Sequence, residues 1–528
     1  MSDDRYKWRV LGVVVFGVFM VVLDTTVVNV AFPTMREQFH ASLALSQWIV
    51  SLYVLSLGIV TPIAGYLSDR FGIKRTYLAG LALFALGSLG SGLSPSLITL
   101  LITRAIQGIG GGVALPLGTA MLFGAFPPEE QGLALGLYGV ALLVAPALGP
   151  ILGGYLVDRD LWRWIFFINV PVGAIGVGLG IFLLREHKQK KKPKADPWGV
   201  LTSIVGFGSL LYAASIGADV GWSSRPVQIA AVLGVVGLAA FIFVELKVAE
   251  DPLLDFDLFK RGVFLNASLV GWVTVMALFG AEFLMPIYLQ MVRGRTAFQT
   301  GLILLPLAAT AAITTPIVGR IYDRIGPRAL VVLGFSVLAV NTWQLSQLTG
   351  TTGIRWILFL MALRGFALGN TVQSTFATAL GTVAKERVSR GSSLINSTRF
   401  VVQSIAVAIF ASIVATSQSS ATRQQQAQLQ QMPSDATRGV GLCEVTKSST
   451  AVSDSTGASK QKLSGIGSPQ SRACTETMHG FESAYRITFW FALLALALAL
   501  FLPGWPFGWE GRKGLQEGAG SPQHDAAA

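Results

Sequence analysis

The chain has 528 residues, 52% of them hydrophobic and only 13% charged, whereas a soluble domain is about 25% charged. This excludes a soluble globular enzyme and points to an all-α polytopic membrane protein. A formal net charge of +12 would suit nucleic acid, but the basic residues fall in small clusters between apolar runs, a pattern that sets membrane orientation and leaves no nucleic-acid footprint.

About fourteen apolar runs follow in order, most near the ~20 residues that span a bilayer. They cover 10–32, 46–67, 77–93, 97–124, 132–156, 164–184, 198–216, 227–246, 263–290, 299–318, 329–348, 356–379, 392–416 and 483–503. Arg5, Lys7 and Arg9 precede the first run as in a signal peptide. That run is too long for one, contains Asp24, and ends at Pro33 without a small-residue cleavage site, so it reads as an uncleaved first helix. The distribution of Lys and Arg places both termini in the cytoplasm of a cell with a plasma (inner) membrane. The run 185–195 is the strongest inside marker; it reads as a stop-transfer anchor, with contact to anionic headgroups as the alternative.

The loop between the second and third runs packs Gly65, Asp69, Arg70, Gly72, Lys74 and Arg75 into eleven residues, Gly65–Arg75. A similar string returns as Gly319, Asp323, Arg324, Gly326 and Arg328. Two such loops imply two related halves. The expected organisation is an N-terminal six-helix bundle (1–184), a basic linker with two inserted transmembrane helices (185–261), and a C-terminal six-helix bundle (262–510). The last contains a polar outer loop, 417–482, and a disordered tail, 511–528, follows it. Both cysteines, Cys443 and Cys474, fall in the polar loop. An oxidising compartment would permit a disulfide between them, two free thiols being the alternative.

A carboxylate inside a span costs on the order of 3 kcal/mol and needs a partner. Asp24 on the first helix and Arg104 on the fourth lie at similar depth. Glu282 and Arg364 repeat the arrangement in the second half at a nearly equal interval. The two pairs are therefore candidates for proton coupling, with static helix clamps as the plainer alternative. The fifth helix carries Pro146, Gly149, Pro150, Gly153 and Gly154, which kink it and admit close neighbours.

The string Gly65-Tyr-Leu-Ser-Asp-Arg-Phe-Gly-Ile-Lys-Arg75 resembles the loop signature of the major facilitator superfamily. Leu23–Pro33 is similar to the first-helix signature of its 14-helix drug:proton antiporter family. Arg104–Gly112 resembles that family's arginine motif. Gly136–Gly154 looks like the antiporter signature of exporters in the superfamily, departing from it at Ala145, where the pattern has glycine. Trp162–Pro171 resembles the family too, though an aromatic interface belt is the plain reading. The resemblance implies a major facilitator fold of two six-helix bundles plus two inserted helices. It implies proton-driven export of amphipathic or cationic small molecules by alternating access, with Asp24 in the coupling. Gly65, Asp69, Arg70, Gly72, Arg75, Asp323 and Arg324 would form the gating loops. Candidate cavity walls are Trp48, Tyr53, Trp272, Phe279, Tyr288 and Phe376.

Alternatives are an exporter of lipids or of a self-made metabolite and, from another class, a transport-dead membrane sensor. No Walker loop, catalytic cluster or Cys/His metal spacing is present, so an enzyme, a cofactor and a metal site are not expected. The expected partners are the lipid bilayer, protons and the small molecules carried; the sequence leaves a periplasmic adaptor protein open.

Overall fold

A computed structural model describes residues 3–186, 193–194, 196–417 and 469–506. Among the described residues there are fifteen α-helices and no strand. They are α1 (Asp3–Gln38), α2 (Leu43–Phe71), α3 (Ile73–Leu93), α4 (Leu97–Ala125), α5 (Gln131–Val157), α6 (Trp164–Phe167), α7 (Asn169–Leu183), α8 (Pro197–Val220), α9 (Arg225–Lys247), α10 (Gly262–Ile287), α11 (Ala297–Ile325), α12 (Pro327–Ser346), α13 (Ile354–Gly381), α14 (Val388–Thr416) and α15 (Pro469–Ala499).

Twelve spans, with α6 and α7 joined as one, are long and apolar enough to cross a membrane. The two remaining expected spans correspond to α10, with a shorter apolar stretch Gly262–Leu278, and α13. At 28 residues α13 is long enough. Its apolar character is diluted by Arg364, Asn370, Thr371, Gln373, Thr375 and Thr378, all buried. Neighbours α10, α11, α12 and α5 surround it, so its polar groups face protein rather than lipid.

In the first bundle α4 packs between α2 and α3, and α5 packs on α1. Gly108 and Gly112, one turn apart, face the α2 backbone, while a Cβ on Gly110 would lie 2.9 Å from the Phe84 Cα of α3. Small residues at this spacing let helices approach to backbone contact. In the second bundle α15 packs on α12 and α10. The bundles meet along α5–α11 and α2–α14. The α8–α9 hairpin, closed by Gly206 against Gly237, lies on α2 and α14.

Some expectations shift. Pro33 lies inside α1, which continues to Gln38; tertiary packing tolerates one lost backbone donor in a long buried helix. The sixth span is broken at Ile168 into α6 and α7. The last helix begins at Pro469, inside the segment expected as a polar loop. Cys443, the rest of that loop from 418 to 468, the tail 511–528 and most of the basic run 187–195 lie outside the described residues, and with Cys443 the proposed bridge to Cys474.

Candidate functional site

Asp24 sits two-thirds of the way along α1 and is 1% exposed. One carboxylate oxygen accepts a hydrogen bond from Arg104 Nη1 of α4. The other accepts from Gln107 Nε2 at 2.8 Å and from Asn169 Nδ2 of α7 at 3.1 Å. Gln107 also takes Arg104 Nη1 at 2.6 Å and donates to Ser88 Oγ of α3 at 2.6 Å. Arg104 Nε donates to the Ile49 carbonyl of α2 at 3.0 Å. Its guanidinium lies 4.2 Å from the centre of the Tyr53 ring, where a cation gains from the ring quadrupole. Five helices thus meet on one ion pair. Charge-assisted bonds from three side chains satisfy the carboxylate, and Arg104 Nη2, buried, has no hydrogen-bond partner among the described residues.

Local sequence explains the convergence. Arg104 and Gln107 are three apart on α4, hence on one face. The glycines that follow draw α2 and α3 close enough for Ile49 and Ser88 to reach that face. The break at Ile168 turns the start of α7 so that Asn169 reaches Asp24.

In the second bundle Arg364 is 1% exposed. It donates to the Ala277 carbonyl of α10 at 3.0 Å, to the Leu278 carbonyl at 3.4 Å and to Asn341 Oδ1 of α12 at 3.5 Å. Glu282 is on the same α10, one turn beyond Leu278, but its side chain lies outside the described residues, as does that of Phe279.

The two repeated loops fall at one end of the molecule, and each sends an aspartate across to the other bundle. Asp69, at the end of α2, accepts from Arg390 Nε at the start of α14 at 2.6 Å. Asp323, at the end of α11, accepts from the backbone N–H groups of Gly132 (2.8 Å) and Leu133 (3.1 Å) at the start of α5. Carboxylates suit helix N-termini. Close approach allows both clasps. The Gly65 N–H donates to Ser393 Oγ at 2.9 Å, and a Cβ on Gly319 would lie 2.8 Å from the Gly132 carbonyl carbon.

The remaining loop residues act locally. Arg70 donates to Tyr66 Oη at 3.1 Å. Gly72 has φ +96°, which glycine adopts without strain. Glu186 caps the start of α3 through the N–H groups of Lys74 and Arg75, at 3.1 and 3.2 Å. The Arg75 guanidinium is largely exposed and 3.9 Å from Glu186. Arg324 is exposed. Of the first loop's charges, Asp69 crosses to the other bundle, while Arg70 and Arg75 lie beside Tyr66 and Glu186.

On α5, Gly149 and Gly153 face α1, and Pro150 and Gly154 face α11 at Gly301 and Phe298; Pro146 lies in the same stretch. The helix is a wedge between the bundles. The expected cavity walls divide. Trp272 of α10 and Phe376 of α13 line a small pocket with Arg399 of α14. Tyr53 instead covers Arg104, its hydroxyl donating to the Val21 carbonyl at 3.0 Å. Trp48 stacks on Tyr212 of α8 at 5.5 Å. Tyr288 donates to the Thr349 carbonyl at 2.6 Å. Helix rotation decides which aromatic residues face inward, and their polar tips bind the nearest carbonyl.

Sequence reasoning gave no role to Asn169, Ser88, Arg390 or Arg399. The available signal was that each is a polar or charged residue in or beside an apolar run.

Residues 14–407 match the model of the Major Facilitator Superfamily. Over 399 residues the chain is 34% identical to the Multidrug export protein EmrB of Escherichia coli (strain K12), covering 74% of this chain and 77% of that one. It is 32% identical over 404 residues to a Multidrug resistance protein B homolog of Mycobacterium tuberculosis, covering 76% and 75%. The fold matches the proton:xylose symporter XylE with a TM-score of 0.60 at 15% identity, covering 95% and 97%.

Proposed function

This chain belongs to the major facilitator superfamily of multi-pass transporters, and from that premise we propose that it is a proton-driven exporter of amphipathic or cationic small molecules, residing in the plasma (inner) membrane with both termini cytoplasmic. The observation that carries the reading is the reciprocal clasp, Asp69 to α14 and Asp323 to α5. Two bundles (1–184 and 262–510), with the insert 185–261 beside them, are held together at one end by polar contacts that rocking can break and remake. The names of the relatives support drug export as the task.

In this reading the clasped end faces the cytoplasm, and opening it admits substrate. Asp24 is the proton carrier. Its donors Arg104, Gln107 and Asn169 sit on two other helices, so a small shift of α1 against α4 and α7 uncovers the carboxylate for protonation. Glu282 beside Arg364 is the pseudo-equivalent group of the second bundle. The protein uses no cofactor and catalyses no bond chemistry. The test is efflux of a panel of dyes from proteoliposomes under an imposed pH gradient. Export that stops when a protonophore collapses the gradient is expected; export indifferent to it removes the coupling.

A further inference from the structure

Arg399 is a charged group deep in a helical span, with an aromatic ring and a backbone carbonyl beside it. It is the twelfth residue of α14, about 17 Å along that helix at ~1.5 Å per residue, hence near the middle of a span. Arg104 answers to Asp24 and Arg390 to Asp69. Among the described residues no carboxylate pairs with Arg399. Its contacts are a 3.4 Å hydrogen bond from Nη2 to the Val372 carbonyl and the face of Phe376, 5.0 Å from the guanidinium carbon. The side chain is only partly buried, and it lines the pocket with Trp272, Phe376, Ser268, Thr375 and Ile395. The lining holds no acidic residue. Tyr138 of α5, from the other bundle, lies within electrostatic range of Arg399. Beside Val372, Gln373 keeps a buried Nε2 donor without a hydrogen-bond partner among the described residues, packed against Gly139 of α5.

A cation at this depth needs a counter-charge, and a guanidinium has five donors in a fork that matches a carboxylate or sulfonate. The walls are two aromatic rings among small and aliphatic residues, and the polar groups are a cation and hydroxyls. We propose that this pocket, which at about 10 Å³ admits one water-sized group while the bundles are clasped, is one wall of the substrate site, widened when the bundles part, and that its ligand is an amphipathic organic anion, with the acid group on Arg399 and an aromatic or apolar body against Trp272 and Phe376. The inference rests on the transport reading above and narrows it from amphipathic or cationic molecules to amphipathic anions. Ligands of this chemistry come either from solution or from anionic lipid.

The test uses three probes with one fluorophore: dansylglycine (anionic), dansylglycinamide (neutral) and dansylcadaverine (cationic). Their affinities are measured by fluorescence anisotropy on the full chain in phosphatidylcholine nanodiscs. The expected result is dansylglycine binding about tenfold or more tighter than the amide, with dansylcadaverine weakest. In Arg399→Gln the anion-to-neutral ratio falls to about one, and Arg399→Lys keeps part of it. Equal affinities in the unaltered protein, or an unchanged ratio in Arg399→Gln, overturn the proposal. If Arg399→Gln does not fold, the unaltered protein's ratio decides. Displacement of dansylglycine by phosphatidylglycerol would assign the lipid source, and its failure the soluble one; both support an anion site. In proteoliposomes the two readings separate. Tight anion binding with no gradient-driven movement of any probe sinks the transport reading and supports this one. Gradient-driven export of dansylcadaverine but not dansylglycine upholds transport and overturns the anion site.

Discussion

Asp69 and Arg390, 321 residues apart in the chain, are joined by a 2.6 Å hydrogen bond between the end of α2 and the start of α14. Both side chains are largely buried, at 6% and 15% exposure. Removing one partner of such a pair costs about 3–5 kcal/mol when the other charge stays buried. Here the bond crosses between bundles, so the loss is felt as a change in the population of the clasped state. Asp69→Asn should cut the initial rate of gradient-driven efflux about tenfold or more while dye binding stays measurable. Exchanging the charges, Asp69→Arg with Arg390→Asp, should restore part of the rate. Unchanged turnover in Asp69→Asn removes the clasp from the mechanism.

Asp24→Asn leaves Arg104 buried beside a neutral amide. A loss of about 3–5 kcal/mol of stability is expected, read as a lower thermal midpoint in detergent. Arg104→Gln added to Asp24→Asn should recover much of it, since no buried charge remains. Efflux driven by a pH gradient should be abolished in both variants. A double variant that is stable and still coupled would leave Asp24 and Arg104 as a helix clamp and place the carrier elsewhere.

Asn169→Ala tests the donor that the break at Ile168 brings to Asp24. Losing one charge-assisted hydrogen bond should cost about 1.5–3 kcal/mol. Asn169→Asp should be worse, since it sets a second carboxylate 3.1 Å from the first. Thermal midpoints of the two variants, compared with the parent, check the order.

Gly319→Ala forces a methyl group against the Gly132 backbone, and neither helix can yield by rotating a side chain. Gly72→Ala places a Cβ about 2.5 Å from the Glu186 carboxylate at φ +96°. Both should lower the thermal midpoint. Gly124→Ala, in a helix with nothing within 4 Å, should be neutral or raise stability by up to about 1 kcal/mol. A Gly319→Ala protein as stable as Gly124→Ala would show that α5 and α11 do not need this approach.

Glu282→Gln is expected to weaken efflux less than Asp24→Asn does. The motive is the position of Glu282 one turn past the carbonyls that Arg364 holds. Parallel efflux assays of the two variants, normalised to protein in the vesicle, decide between one carrier and two.

The membrane class, the succession of apolar lengths and the doubled loop are legible in the sequence because each follows from local composition: a bilayer of fixed thickness demands a fixed apolar run. So is the meeting of Asp24 with Arg104, since lone charges in a span are costly and few candidates exist to neutralise them. What completes that centre was not legible. Asn169 reaches Asp24 because a helix breaks at Ile168, and Ser88 reaches Gln107 because the α4 glycines bring α3 to backbone distance. Tyr53 and Trp272 are both aromatic residues in apolar runs, yet one seals the Arg104 centre and the other lines the pocket of Arg399. That choice depends on how each helix is turned about its own axis. Rotation is fixed by contacts between segments far apart in the chain, such as Gly132 with Gly319 and Asp69 with Arg390, and those contacts exist only once the bundles have packed.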